Sequence, residues 1–180
     1  MSDDATPPPV EHQPEAAPPT ERNNRAPEPA ELRESLAMML GREVRVTSAG
    51  RVPPEGIIPV AVGPYIDDAD GLAGCAWVDL PLAAAMGAAM SMVPREQAEA
   101  CVEAGTLTEE FQDNLHETLN IASALLNVDE ASHLRIRPLE LLETGLSESI
   151  LELLADPRSG GYYDVDIDGY GTGVLSFTLA

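Results

Sequence analysis

The stretch PLAAAMGAAMSM, residues 81–92, constrains the fold more than any other part of the chain. Proline at the first helical position and a run of alanine, leucine and methionine make it a strong helix former. That helix is apolar on nearly its whole circumference. A helix with no polar face has nothing to offer water, so other elements must cover it on all sides. The rest of the 180 residues has to supply that cover.

The covering elements can be read from periodicity and punctuation. PAELRESLAMMLG predicts an amphipathic helix with Pro29 in its first turn, a stripe of Leu32, Leu36, Met39 and Leu40, and Gly41 as terminator. EVRVT, GIIPVAV and LAGCAWVDL predict strands, the last two joined by the turn-rich PYIDDADG. PREQAEACVEAG predicts a short helix ended by Gly105. Thr106 and Glu109 have capping-box spacing, and the helix they open is expected to run to about Asn127. HLRIRPLEL reads as a strand, SESILELLADP as a helix capped by Ser147, and GYYDVDIDGYGTGVLSFTLA as two strands around a tight turn. Short connections between strand pairs predict an α+β fold with a mostly antiparallel sheet and helices packed against it. No internal repeat is evident.

Residues 1–28 hold seven of the sixteen prolines and almost no large apolar side chain, so they are expected to form a disordered, acidic tail. Residues 29–180 form the expected folded domain. The formal charge is −21, from 31 acids against 10 arginines, with no lysine; the tail accounts for only −4 of it. So acidic a chain should be repelled by nucleic acid and by anionic membrane surfaces. Cys75 and Cys101 lack metal or redox spacing and read as reduced, buried residues. No start resembling a leader and no run approaching a bilayer span is present, which predicts a cytoplasmic protein.

Most chemical signatures fail on inspection. Asp164, Asp166, Asp168 and Gly169 match the opening of a calcium loop, but Leu175 stands where the closing carboxylate belongs. The alternation there favours a hairpin with an acidic face. His12, His116 and His133 have no partner at ligand spacing, so no metal site is expected. No nucleophile elbow, phosphate loop or dinucleotide fingerprint occurs.

One helix remains. DNLHETLNIASALLN, residues 113–127, holds three of the five asparagines, though asparagine costs a helix interior roughly 0.5 kcal/mol relative to alanine. Its apolar side gathers Phe111, Leu115, Leu119, Ala122, Leu125 and Leu126. Asp113, Glu117, Asn120 and Ala124 form the opposite stripe. By periodicity alone, that stripe is either a solvated face or a rigid surface for another protein.

Leu115, Glu117, Asn120 and Ile121, with Asp113 four residues before the glutamate, resemble the D/S-x-x-x-E-x-x-N signature of the CheC, CheX and FliY chemotaxis phosphatases. An alanine-rich helix precedes the signature helix in that family and in the related FliM middle domain, as PLAAAMGAAMSM does here. The single copy is CheX-like, and Ala122 and Ser123 stand where the family has glycines. The resemblance covers roughly residues 30–180. It implies hydrolysis of the aspartyl phosphate on a CheY-like receiver domain in two-component signalling. Glu117 would anchor to the receiver lysine and Asn120 would orient the attacking water, with Asp113 and Ala124 in the docking face. It implies no cofactor of the chain's own, with magnesium carried by the receiver, and it leaves room for a homodimer. The alternatives are a non-catalytic adaptor or flagellar-switch-like module using the same face, or an acidic scaffold.

Overall fold

The computed structural model describes residues 24–50, 56, 58–127 and 133–180. Helix α1, Pro29–Leu40, ends at Gly41, whose φ of 60° is the left-handed conformation that glycine adopts without steric cost. Strand β1, Val44–Gly50, follows, then the antiparallel pair β2, Ala61–Ile66, and β3, Leu72–Val78. Helices α2, Leu80–Met90, α3, Arg95–Ala104, and α4, Glu109–Ala122, come next. Short strands β4, Arg135–Ile136, and β5, Glu140–Leu141, then lead to helix α5, Glu148–Ala155. The hairpin β6, Ser159–Ile167, and β7, Gly171–Leu179, completes one antiparallel sheet in the order β1-β6-β7-β3-β2-β4, with β5 also on β2. The fold is α+β with a mostly antiparallel sheet, as expected.

The sheet separates two apolar layers because its side chains alternate. Tyr65, Tyr163, Leu175 and Phe177 face the layer built by α1, α2 and α4. Val62, Trp77, Tyr162 and Val174 face the other way, onto Ile150 and Leu153 of α5. Helix α2 is buried from Leu82 through Ala89, as an all-apolar helix must be. Gly87 is its contact with α4: a Cβ there would sit 2.6 Å from the Cβ and Cγ of Phe111. The absence of a side chain at 87 therefore sets how closely α4 approaches.

Several boundaries differ from the sequence expectation. The second strand covers residues 61–66 rather than 56–62, so Pro64 lies inside it. Its missing N–H falls in the gap between β4 and β5, where only its carbonyl is needed, accepting from Arg137 N at 2.8 Å. Pro138, in that same gap, splits the expected strand over 133–141 in two. The cap of α4 is Thr108, which accepts from Phe111 N at 3.2 Å; Thr106 donates to Glu143 instead. Helix α4 ends at Ala122 and passes into a 3₁₀ turn over Ser123–Leu125. Ser147 occupies the cap position of α5, but its hydroxyl donates to Glu140 at 2.9 Å.

Residues 1–23 of the expected tail lie outside the described residues. Residues 24–28 are packed: Asn24 Nδ2 donates to Leu126 O at 2.8 Å, and the Tyr163 hydroxyl donates to Pro27 O at 2.6 Å. Burial pushes the Tyr163 phenol up to about 12. The packed part of the chain thus includes residue 24, earlier than the boundary at 29 drawn from composition.

The topology also contains a repeat that the sequence reading did not find. One unit is α1-β1-β2-β3; the other is α4, β4 with β5, β6 and β7. Exchanging the units swaps β1 with β4, β2 with β6 and β3 with β7, and the strand order β1-β6-β7-β3-β2-β4 returns reversed. The sheet therefore has a pseudo-twofold between β3 and β7, with α2 and α3 connecting the halves. No described helix is long and apolar enough to cross a membrane.

Candidate functional site

Helix α4 starts firmly, with the Thr108 cap and Glu109 and Glu110 in its first turn, where acids complement the exposed backbone N–H groups. Phe111, Leu115, Leu119, Ala122 and Leu126 are buried, which fixes its rotation about its axis. That rotation turns Asp113, Glu117, Asn120 and Ala124 to solvent. The four expected site residues are thereby brought onto one exposed stripe. Asp113 and Glu117 give the stripe two carboxylates, and α4 carries no arginine or lysine, so the stripe suits a cationic partner group.

The three asparagines do different work. Asn114 is half-buried, and its Nδ2 donates to Gly87 O at 3.2 Å and Ser91 Oγ at 2.7 Å, tying α4 to the end of α2. Asn127 bridges the chain across to the next strand: its Oδ1 accepts from Leu134 N at 2.7 Å, and its Nδ2 donates to Leu134 O at 3.3 Å. The Asn120 side chain is exposed, and its amide makes no hydrogen bond to any described residue.

Although the Asn120 amide is free, its backbone is held. Ser123 Oγ donates to Asn120 O at 2.6 Å, and the wholly buried Tyr65 hydroxyl donates to Leu119 O at 2.8 Å. Burial raises the Tyr65 pKa far above its ordinary value, so the phenol stays protonated and remains a donor. Two positioning residues thus pin the last turn of α4 from below. In the sequence Tyr65 reads as a turn residue, with no signal of its role under α4, and Ser123 reads only as a replacement for glycine; its hydroxyl bond to Asn120 O gives it a reason to be there.

The other candidates do not assemble. Asp164 and Asp168 are exposed on the β6-β7 hairpin, and Asp166 is paired with Arg45 at 2.7 Å. Gly169 occupies the turn with φ 81°. Among the described residues, no group of three acids, histidines or cysteines is placed to hold a metal ion. Burial pushes the Cys75 thiol up to about 12, leaving it unreactive. Cavities of about 610 and 590 Å³ lie elsewhere, one between α3 and the hairpin tip and one beside the start of α5.

No protein-family model matches the chain, and no curated protein matches it. Solved structures do. FliY of Thermotoga maritima is similar at 14% identity and a TM-score of 0.57, over 83% of this chain and 82% of that one. The FliM middle domain of H. pylori gives 10% identity and 0.57, covering 84% of each chain. CheX of Borrelia burgdorferi, solved in complex with CheY, BeF3 and Mg2+, gives 13% identity and 0.52, over 84% of this chain and 97% of that one. At such identities the likeness establishes a shared fold.

Proposed function

We propose that the chain docks α4 on a CheY-type receiver and promotes hydrolysis of its aspartyl phosphate. The observation that supports this most is the idle amide: Asn120 is solvent-exposed and unbonded on a braced helix turn, whereas Asn114 and Asn127 are both occupied. In this reading the Glu117 carboxylate, one turn earlier on the same face, pairs with the receiver lysine. The Asn120 amide accepts from the attacking water and donates elsewhere in the site without carrying charge. The water oxygen bonds to phosphorus, the bond from phosphorus to the aspartyl oxygen breaks with its electron pair on that oxygen, the water's proton passes to the phosphate or to solvent, and phosphate departs while the carboxylate stays on the receiver. Such a reaction needs in-line positioning and charge stabilisation more than a nucleophile from the enzyme. Magnesium belongs to the receiver and arrives with it.

The test is phosphate release from a phosphorylated receiver, run beside a binding measurement. Asn120→Ala should lower the added hydrolysis on the order of a hundredfold with little change in affinity, because its work is done in the transition state. Glu117→Ala should weaken docking as well as rate, and added salt should reproduce part of that loss. If the unaltered chain binds the receiver yet releases no phosphate beyond the receiver's own rate, the adaptor reading replaces this one.

A further inference from the structure

Helix α2 ends in a left-handed turn of the kind that glycine usually supplies. Val93 N donates to Ala88 O at 3.1 Å and Met92 N donates to Ala89 O at 3.1 Å, the paired bonds of a Schellman ending, with Met92 at its left-handed position. Its φ is 54°. The other described non-glycine residue with positive φ is Asp70, in the turn between β2 and β3, and aspartate tolerates that region through local hydrogen bonds. Methionine has no such bond to make, and a Cβ in this conformation costs free energy that glycine avoids. Packing does not offset the cost, because Met92 is 81% exposed. One exposed apolar side chain is ordinary; one that is also held in a strained turn breaks two local rules with no gain inside the fold.

That turn adjoins the α4 stripe. Ser91 Oγ donates to Glu110 Oε1 at 2.6 Å and accepts from Asn114 Nδ2 at 2.7 Å, so residue 92 follows directly on a serine anchored to two successive turns of α4. Glu110, Asn114, Glu117 and Ile121 stand at i, i+4, i+7 and i+11, one row along the helix. Met92 lies at the Glu110 end of that row and the exposed Ile121 at the other, with Glu117 between them. We propose that Met92 is a specificity-determining contact of this face: its side chain seats against apolar surface on the receiver alongside the Glu117 contact, and it sets affinity without acting on the phosphoryl group. This rests on the receiver reading of α4. Methionine suits the task because a flexible, polarisable side chain conforms to a partner's surface.

The test measures binding to a CheY-type receiver loaded with beryllofluoride and magnesium, phosphate release from the phosphorylated receiver, and the melting temperature of the chain. Met92→Gly should weaken binding about tenfold, the loss expected when one methionine's apolar contact is removed, yet melt at or above the unaltered chain. Binding and stability then move in opposite directions, which a merely structural residue does not produce. Met92→Asn, which also tolerates the left-handed turn, should do the same without the added flexibility of glycine, and Met92→Leu should keep affinity within about twofold. The deficit should persist in added salt, unlike the loss at Glu117, and hydrolysis at saturating chain should be unchanged. If Met92→Gly and Met92→Asn bind as tightly as the unaltered chain, or lose binding only as they lose stability, the Met92 proposal is overturned while the α4 reading stands. If the unaltered chain binds no receiver, both are overturned.

Discussion

Replacing each of the three asparagines by alanine should separate structural amides from the functional one. Asn127→Ala removes the acceptor for Leu134 N, at 2.7 Å, together with a donor to Leu134 O. Asn127 lies beyond the helix, so no propensity gain offsets the loss. Leaving a part-buried N–H unsatisfied costs about 2 kcal/mol. Asn114→Ala removes two bonds, each worth about 1 kcal/mol, but Ser91 keeps Glu110 and Gly87 O keeps Ser91 N. Alanine also returns roughly 0.5 kcal/mol of helix propensity, so the net loss is about 1 kcal/mol. Asn120→Ala breaks no side-chain bond and should gain those few tenths.

At about 2–4 °C per kcal/mol for a chain of this size, Asn127→Ala should melt about 4–8 °C lower and Asn114→Ala about 2–4 °C lower. Asn120→Ala should melt at or slightly above the unaltered chain. Calorimetry or urea titration followed by circular dichroism measures all three. A loss for Asn120→Ala as large as that for Asn114→Ala would refute the reasoning, because it would mean that the amide of residue 120 already has work inside the fold.

Gly87→Ala should destabilise the chain by about 1–3 kcal/mol despite the better helix former, because the new methyl meets Phe111 at 2.6 Å; urea midpoints measure it. Asp79 caps α2 while largely buried, and desolvation is the main cause that raises its pKa. A carboxyl whose folded pKa is raised makes the folded state less stable above that pKa and has no such effect below the unfolded value of about 3.9. Asp79→Asn, which can still accept from Leu82 N, should therefore gain stability at pH 7, a gain that fades as pH falls toward about 4 and is absent below it in urea titrations. Two truncations test the packed segment: a chain starting at residue 29 should melt several degrees below one starting at 24, having lost the Asn24 to Leu126 and Tyr163 to Pro27 bonds. Equal melting would mean that these contacts contribute nothing.

Fold class was legible because it depends on patterns that tertiary context does not reverse. An all-apolar helix must be covered, and alternating strands around tight turns must pair with their neighbours. Details decided by distant partners were not legible. Pro64 reads as a turn residue until β4 and β5 leave a gap beside it that tolerates a missing N–H. Thr106 satisfies the capping-box spacing, yet Thr108 is where the chain enters the helix, and its N3 residue is Phe111 rather than an acid. LRESLAM of α1, residues 32–38, and LHETLNI of α4, residues 115–121, match too briefly to carry weight as a repeat until the strand order relates them.

The candidate site shows why sequence and structure had to be combined. Sequence placed Asp113, Glu117, Asn120 and Ala124 on one stripe, but it could not tell Asn120 from Asn114 or Asn127, since all three are amides on or near one helix. What distinguishes them is supplied by residues outside the helix: Gly87 and Ser91 take up Asn114, and Leu134 takes up Asn127. Asn120 is left with a helix-propensity cost and no compensating bond, while Tyr65 and Ser123 hold the backbone beneath it. Holding a side chain in place without using it is costly for folding and useful for catalysis, where a group must be positioned before its partner arrives. A residue in that condition is where a local rule is broken with no gain inside the fold, and the gain is then to be sought in a partner.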